Sequence, residues 1–216
     1  MTASQVIIRY LEQQDYQTCW HAMQQFTQQR DENTMDELWL LEHHPVFTQG
    51  QNGKAEHVLN PGTIPVIPVD RGGQVTYHGP GQLVVYTLVD LRRKKMNIRE
   101  IVTVLEKSII DLLAHYCIDA HAKSNAPGVY VNHKKMCSVG LRIRKGCAYH
   151  GLALNVSMDL EPFSRINPCG FKALQMTQLA DFIKPVTIKT IETQLVDYLM
   201  TNLGYNTPHY KSGLHG

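Results

Sequence analysis

The segment Ile98–Tyr116 sets Ile98, Ile101, Val102, Leu105, Ile109, Leu112, Leu113 and Tyr116 at intervals of three and four. That is the spacing of one broad helical face. A stripe so wide must be covered, and the preceding segment supplies a cover. Gln82–Asp90, rich in Val, Leu and Tyr, reads as a buried strand. A helix packed on a sheet therefore anchors the expected fold, and the rest of the chain is read around it.

Val6–Leu11 reads as a strand. Asp15 caps a helix running to about Arg30, with Tyr16, Cys19, Trp20, Met23 and Phe26 on one side. Glu37–Glu42 and Val46–Thr48 read as strands separated at Pro45. Ile64–Val69, β-branched and interrupted by proline, suits an edge strand. Gly128–Val131, Lys135–Ile143 and Cys147–Val156 follow as strands, with Arg144-Lys145-Gly146 as a hairpin turn between the last two. Thr187–Leu203 closes as an amphipathic helix, with Gly204 just beyond its end. Strands gather in the middle, with helices inside and at both ends. The fold class is α/β (α+β), a single domain over 1–216 with a mixed sheet flanked by helices.

A chain of 216 residues buries roughly 70% of its unfolded surface. It needs neither disulfides nor a metal to fold. Its 21 Lys and Arg against 19 Asp and Glu exclude a nucleic-acid binder held by bulk charge. No apolar run approaches the ~20 residues of a membrane span, and the start lacks the basic end and apolar core of a secretory signal. The five cysteines include no C-x-x-C pair, so a disulfide framework is not expected. A reducing cytoplasmic location is the expectation. Cys19, Cys117, Cys137 and Cys147 lie in apolar segments and are expected in the core.

Three places carry candidate chemistry. The first is Arg71-Gly72-Gly73-Gln74-Val75-Thr76-Tyr77-His78-Gly79-Pro80-Gly81, which packs glycines directly before a buried strand. Such glycines let backbone approach a ligand. A plain glycine-rich turn is the competing reading. The phosphate-loop ending is missing, and Val84 stands where a dinucleotide fingerprint needs its third glycine. The second is Lys135, which by strand parity shares a face with Cys137, Val139, Leu141 and Ile143. A lysine entering an apolar face loses hydration, its pKa falls, and it can exchange protons near neutrality. The competing reading is a strand-end lysine that reaches water.

The third is Cys169, held between Pro168 and Gly170 in a polar turn. An unperturbed thiol is only ~3% thiolate at pH 7, so a nucleophilic Cys169 needs a base or cation nearby. His78 and His150 lie in candidate site segments. No His-Glu-x-x-His or zinc-type spacing is present, so neither metal nor cofactor is expected. Arg92-Arg93-Lys94-Lys95 reads as a solvated face, and it is also a candidate for meeting an acidic protein.

Together these segments resemble the octanoyltransferase family of lipoate biosynthesis, of bacterial type. The residues that carry the resemblance are Arg71-Gly-Gly-x-x-Thr-Tyr-His-Gly-Pro-Gly-Gln82, Gly128-Val-Tyr-Val131, Lys135-x-x-Ser138-x-Gly140, His150-Gly-x-Ala-x-Asn155 and Ile166-Asn-Pro-Cys-Gly170. The resemblance spans about Val6 to Leu203. Lys135-Met136-Cys137-Ser138 departs slightly from the family's usual Lys-Ile-Ala-Ser, and Tyr210–Gly216 matches nothing recognisable.

The resemblance implies the fold of biotin and lipoate protein ligase catalytic domains. It implies octanoyl-acyl carrier protein as donor, and as acceptors the lipoyl domains of 2-oxoacid dehydrogenases and the glycine cleavage H protein. It maps the nucleophile onto Cys169, as an acyl-thioester, and a paired lysine onto Lys135. It maps donor contacts onto Arg71 to His78, onto Ser138, Val139 and Gly140, and onto Gly151, Leu152 and Ala153. Both partners are acidic, so Arg92–Lys95 and Arg142–Lys145 are the candidate docking patches. A monomer is expected. An ATP-dependent lipoate ligase of the same fold, or a noncatalytic binding module, are the alternatives.

Overall fold

The computed structural model describes residues 4–168 and 174–214. Cys169 and Gly170 lie outside the described residues.

Eight strands form the main sheet in the order β11-β1-β2-β6-β10-β9-β8-β7. Its centre is built from β2 (Asp36–His43), β6 (Gln82–Asp90), β10 (Cys147–Asn155) and β9 (Lys134–Arg144). β1 (Gln5–Gln14) runs parallel to both β2 and the edge strand β11 (Thr207–Ser212). β8 (Gly128–Val131) and β7 (His121–Ala122) complete the far side with antiparallel pairing. The β9–β10 turn is the expected hairpin, and Lys145 and Gly146 both take positive φ there.

Strand alternation divides the core between the two faces. Trp39, Leu41, Val84 and Tyr86 meet Cys19 and Met23 of helix α1 (Tyr16–Gln29), whose amide at Thr18 is capped by Asp15. Leu38, Leu40, Leu83 and Val85 face the other way. They meet Ile101, Leu105 and Ile109 of α3 (Ile98–His115) and Leu195 and Leu199 of α4 (Ile188–Leu203). A four-residue helix α2 (Leu91–Lys94) follows β6 directly.

A second sheet corrects the expectation of a single one. β3 (Val46–Gln49) sits between β4 (Val66–Pro68) and β5 (Val75–His78). β4 is an edge strand, as its proline requires. β5 lies inside the glycine-rich segment, which is therefore more than a turn.

Three further expectations are corrected. Cys117 is exposed, because the chain leaves α3 there with positive φ. Arg92 and Arg93 bind the carboxylates of Asp90 and Asp36, and Lys94 donates to the Leu203 carbonyl beside the Tyr205 ring. Arg93 and Lys94 are thus structural clips, while Arg92 and Lys95 stay exposed as expected. Finally, the β8–β9 register shifts between Val129 and Tyr130. Met136 and Cys137 both join the α3-side core, so simple parity from Lys135 to Ile143 fails.

Candidate active site

The second sheet leans against the α1 face of the main sheet, and a cleft lies between them. Arg71, Gly72, Gly73, Gln74, Val75, Thr76 and His78 line one wall. Lys135, Ser138, Val139 and Gly140 of β9, with Gly151, Leu152 and Ala153 of β10, line the other. Tyr16, Val84, Tyr86 and His150 complete it. Tyr77 does not join the lining. It packs instead between Phe47 and Phe163.

Gly151 is required by close approach: a Cβ there would lie 2.0 Å from the Val85 carbonyl oxygen. The glycine-rich wall is fixed to β9 by Gly72 N–H donating to the Leu141 carbonyl at 2.9 Å. Arg71 is buried, and its guanidinium donates to the Thr48 carbonyl at 2.7 Å and to Thr48 Oγ1 at 2.8 Å. Its charge is held in place at the cleft wall.

Two polar clusters hold the histidines. In a regular strand Tyr149 and His150 would face opposite ways. His150 has φ of 61°, and its ring stacks on Tyr149 with centroids 5.0 Å apart. Both reach Asp70, where His150 Nε2 lies 2.9 Å from Oδ1 and the Tyr149 hydroxyl donates to Oδ2. Trp20 and Gln24 of α1 also donate to Asp70. Burial opposes ionisation of Asp70, but these donors outweigh it and hold the carboxyl well below the usual range. Burial lowers the His150 pKa despite the partner carboxylate.

In the second cluster, His78 Nδ1 donates to Gln82 Oε1 at 2.7 Å, since that oxygen can only accept. Nε2 then faces Thr48 Oγ1 at 3.3 Å as an acceptor. Burial, with neighbouring His43, drives His78 down to about 3. It is a neutral, positioned ring.

A relay leaves this cluster. Gln82 Nε2 donates to Asn155 Oδ1 at 3.0 Å, and Asn155 Nδ2 donates to the Thr177 carbonyl at 3.0 Å. Thr177 N–H donates to the Lys135 carbonyl, and Lys135 N–H donates to the Gln175 carbonyl. Gln175 and Thr177, which follow Cys169 in the sequence, are thereby bonded to Lys135. Before Cys169 in the sequence, Asn167 N–H donates to the His57 carbonyl and Ile166 bridges Val58.

Lys135 is 1% exposed and does not reach water. Three cysteines are poor nucleophiles: burial pushes the thiols of Cys19 and Cys137 up to about 12 and also raises Cys147.

Sequence reasoning missed Asp70, Thr48 and Glu106. Asp70 adjoins Arg71 but carried no motif. Glu106 was detectable, because it falls four residues after Val102 and three before Ile109, on the edge of the apolar stripe.

The fold and the cleft define a lipoyl- or biotin-ligase type of catalytic domain. Over 97% of this chain and 89% of the other, it superposes on a lipoate-protein ligase A crystallised with ATP, with TM-score 0.81 at 16% identity. Against biotin protein ligase from Aquifex aeolicus the TM-score is 0.53 at 13% identity, covering 91% of this chain and 68% of that one. Those likenesses establish the fold.

Residues 15–200 match the lipoyl protein ligase A/B catalytic domain, and the chain belongs to that family. It is 59% identical over 207 residues to an octanoyltransferase of Shewanella oneidensis, covering 96% of this chain and 95% of the relative. It is 57% identical over 209 residues to an octanoyltransferase of Vibrio cholerae, covering 97% and 96%.

Proposed function

We propose that this chain is an acyltransferase of lipoate biosynthesis. It moves an octanoyl group from octanoyl-acyl carrier protein to a lysine of a lipoyl domain, through a thioester on Cys169. The observation that carries the reading is Lys135: a buried lysine in the wall of a glycine-lined cleft, its backbone bonded to Gln175 and Thr177, which follow Cys169 in the sequence. The identity to octanoyltransferases over nearly the whole chain supports the acyl group.

In the first half-reaction Cys169 sulfur attacks the donor carbonyl, the carrier's thiol leaves with a proton, and one thioester replaces another. In the second, the acceptor amine attacks, loses a proton, and releases the Cys169 thiol. Both halves require a proton to be taken up and returned beside the same sulfur. Lys135 is the group assigned that task. Arg71 to His78 (Tyr77 apart), Ser138 to Gly140 and Gly151 to Ala153 shape the channel for the acyl chain. A thioester donor needs no nucleotide activation, so the reaction requires no cofactor.

The acceptors are the lipoyl domains of 2-oxoacid dehydrogenases and the glycine cleavage H protein. The enzyme acts as a single 1–216 domain and as a monomer. A cytoplasmic setting follows from the carrier-protein donor. Among the described residues no helix is long and apolar enough to cross a membrane.

An ATP-dependent ligase of this fold is the reading to separate. Supplied with a lipoyl domain, the enzyme should transfer octanoate from octanoyl-acyl carrier protein without ATP. It should be inactive with free octanoate plus ATP. Activity only in the second mixture would overturn the transferase.

A further inference from the structure

Glu106 stands out on α3, a charged residue 8% exposed on the helix face that packs against β8 and β9. Its Oε1 accepts the Gly128 N–H at 2.7 Å. Gly128 is also where Lys135 passes. A Cβ on Gly128 would lie 2.5 Å from Lys135 Cε and 3.2 Å from Nζ, and 2.3 Å from the Cys137 carbonyl oxygen. Gly128 also has φ of 136°, a backbone that side chains rarely adopt. The Lys135 stem therefore crosses the bare face of Gly128, while the Glu106 carboxylate holds the amide of the same residue.

We infer that Glu106 is a positioning residue for the reaction, its buried carboxylate serving as the counter-charge that holds the Lys135 ammonium across the gap at Gly128. This rests on the role given to Lys135 above. Buried charges persist only when paired and hydrogen-bonded; the Gly128 N–H supplies the hydrogen bond to Glu106, and Lys135 is the cation carried past the same glycine. Burial raises the Glu106 pKa, and the Gly128 N–H and Lys135 oppose that rise.

Among the described residues, the other groups near Lys135 do not replace it. From β8, the Tyr130 ring centroid lies 5.5 Å from Nζ, with Lys123 over the same ring. On β9, the Cys137 thiol is kept protonated by burial. In the cleft, Arg71 adds positive charge, and burial keeps His78 and His150 neutral at pH 7. Asp70 is engaged by Trp20, Gln24, Tyr149 and His150.

The pairing changes how the lysine works. An ammonium held by a buried carboxylate can supply a proton to the leaving thiol and stabilise a thiolate.

The test is NMR titration of lysine labelled at ¹³Cε. The Lys135 signal is assigned by its loss in Lys135→Arg. Glu106→Gln keeps an oxygen for the Gly128 N–H but removes the charge. Lys135 should then titrate at least about one pH unit lower than in the wild type. Acylation by an octanoyl thioester of a small thiol should slow roughly tenfold at pH 7. Glu106→Asp, which keeps the charge, should recover part of both. An unchanged Lys135 titration in Glu106→Gln would overturn the inference. A shifted titration, with Lys135→Arg acylating at the wild-type rate, would uphold the pairing and overturn the role of Lys135 instead.

Discussion

At the scale of single residues, the site keeps imidazoles neutral. His43 Nδ1 donates to the Gln14 carbonyl, so Nε2 accepts the Tyr86 hydroxyl at 2.6 Å, and burial lowers the His43 pKa to about 4. His78 falls to about 3. An unfolded histidine titrates near 6.5. As pH falls below about 6.5, the unfolded chain takes up protons that the folded chain refuses, so stability drops with pH until the folded pKa values are reached. Each histidine contributes up to about 1.4 kcal/mol per pH unit in that window. Urea unfolding at pH 7, 6 and 5 should show the decline, and His43→Gln should reduce its slope by about one histidine's share. A slope unchanged in His43→Gln would show that His43 takes up its proton as readily in the fold as in the unfolded chain.

The burial of Lys135 was legible as a lysine entering an apolar strand. Its face was not, because the extra residue Met136 on β9, opposite the Val129–Tyr130 step, resets strand parity and no sequence period records a bulge. The His150 turn toward Tyr149 was hidden for a similar reason: it depends on one positive φ within a strand.

Among the elements, β6, α3, α4 and the β9–β10 hairpin were readable because each carries its own period or turn. β5 and β11 were not. β5 sits among glycines and is a strand through its pairing with β3. β11 is polar and exposed, and exists through parallel pairing with β1, far away in sequence. The relay from His78 through Gln82, Asn155 and Thr177 to Lys135 joins elements in the same non-local way. Asn155→Ala leaves a buried amide and carbonyl unpaired, which costs about 1–3 kcal/mol. It should also lower kcat, at a temperature where the variant is fully folded, more than it changes KM for the donor. Thermal melts and steady-state rates check this. A destabilised variant with wild-type kcat would confine the relay to stability.

For the whole molecule, net charge is only +2 with neutral histidines, so docking of acidic proteins depends on local charge. The β9–β10 hairpin offers Arg142, Arg144 and Lys145, the last two exposed. Arg142 donates to Gln51 at 2.7 Å, and β9 lines the cleft. The run at Arg92 is spent on Asp90, Asp36 and Leu203. Neutralising Arg144 and Lys145 should slow encounter with octanoyl-acyl carrier protein, and the deficit should shrink at high salt. Stopped-flow acylation measures it. An equal deficit with a small octanoyl thioester would show that the effect is not docking.

The cysteine intermediate is the centre of the proposed chemistry. Mixing the enzyme with octanoyl-acyl carrier protein, then measuring intact mass and mapping peptides, tests it most directly. One octanoyl group should appear on the peptide containing Cys169, disappear when a lipoyl domain is added, and be absent from Cys169→Ala. An octanoyl group mapped to exposed Cys117, or turnover in Cys169→Ala at the wild-type rate, would contradict it.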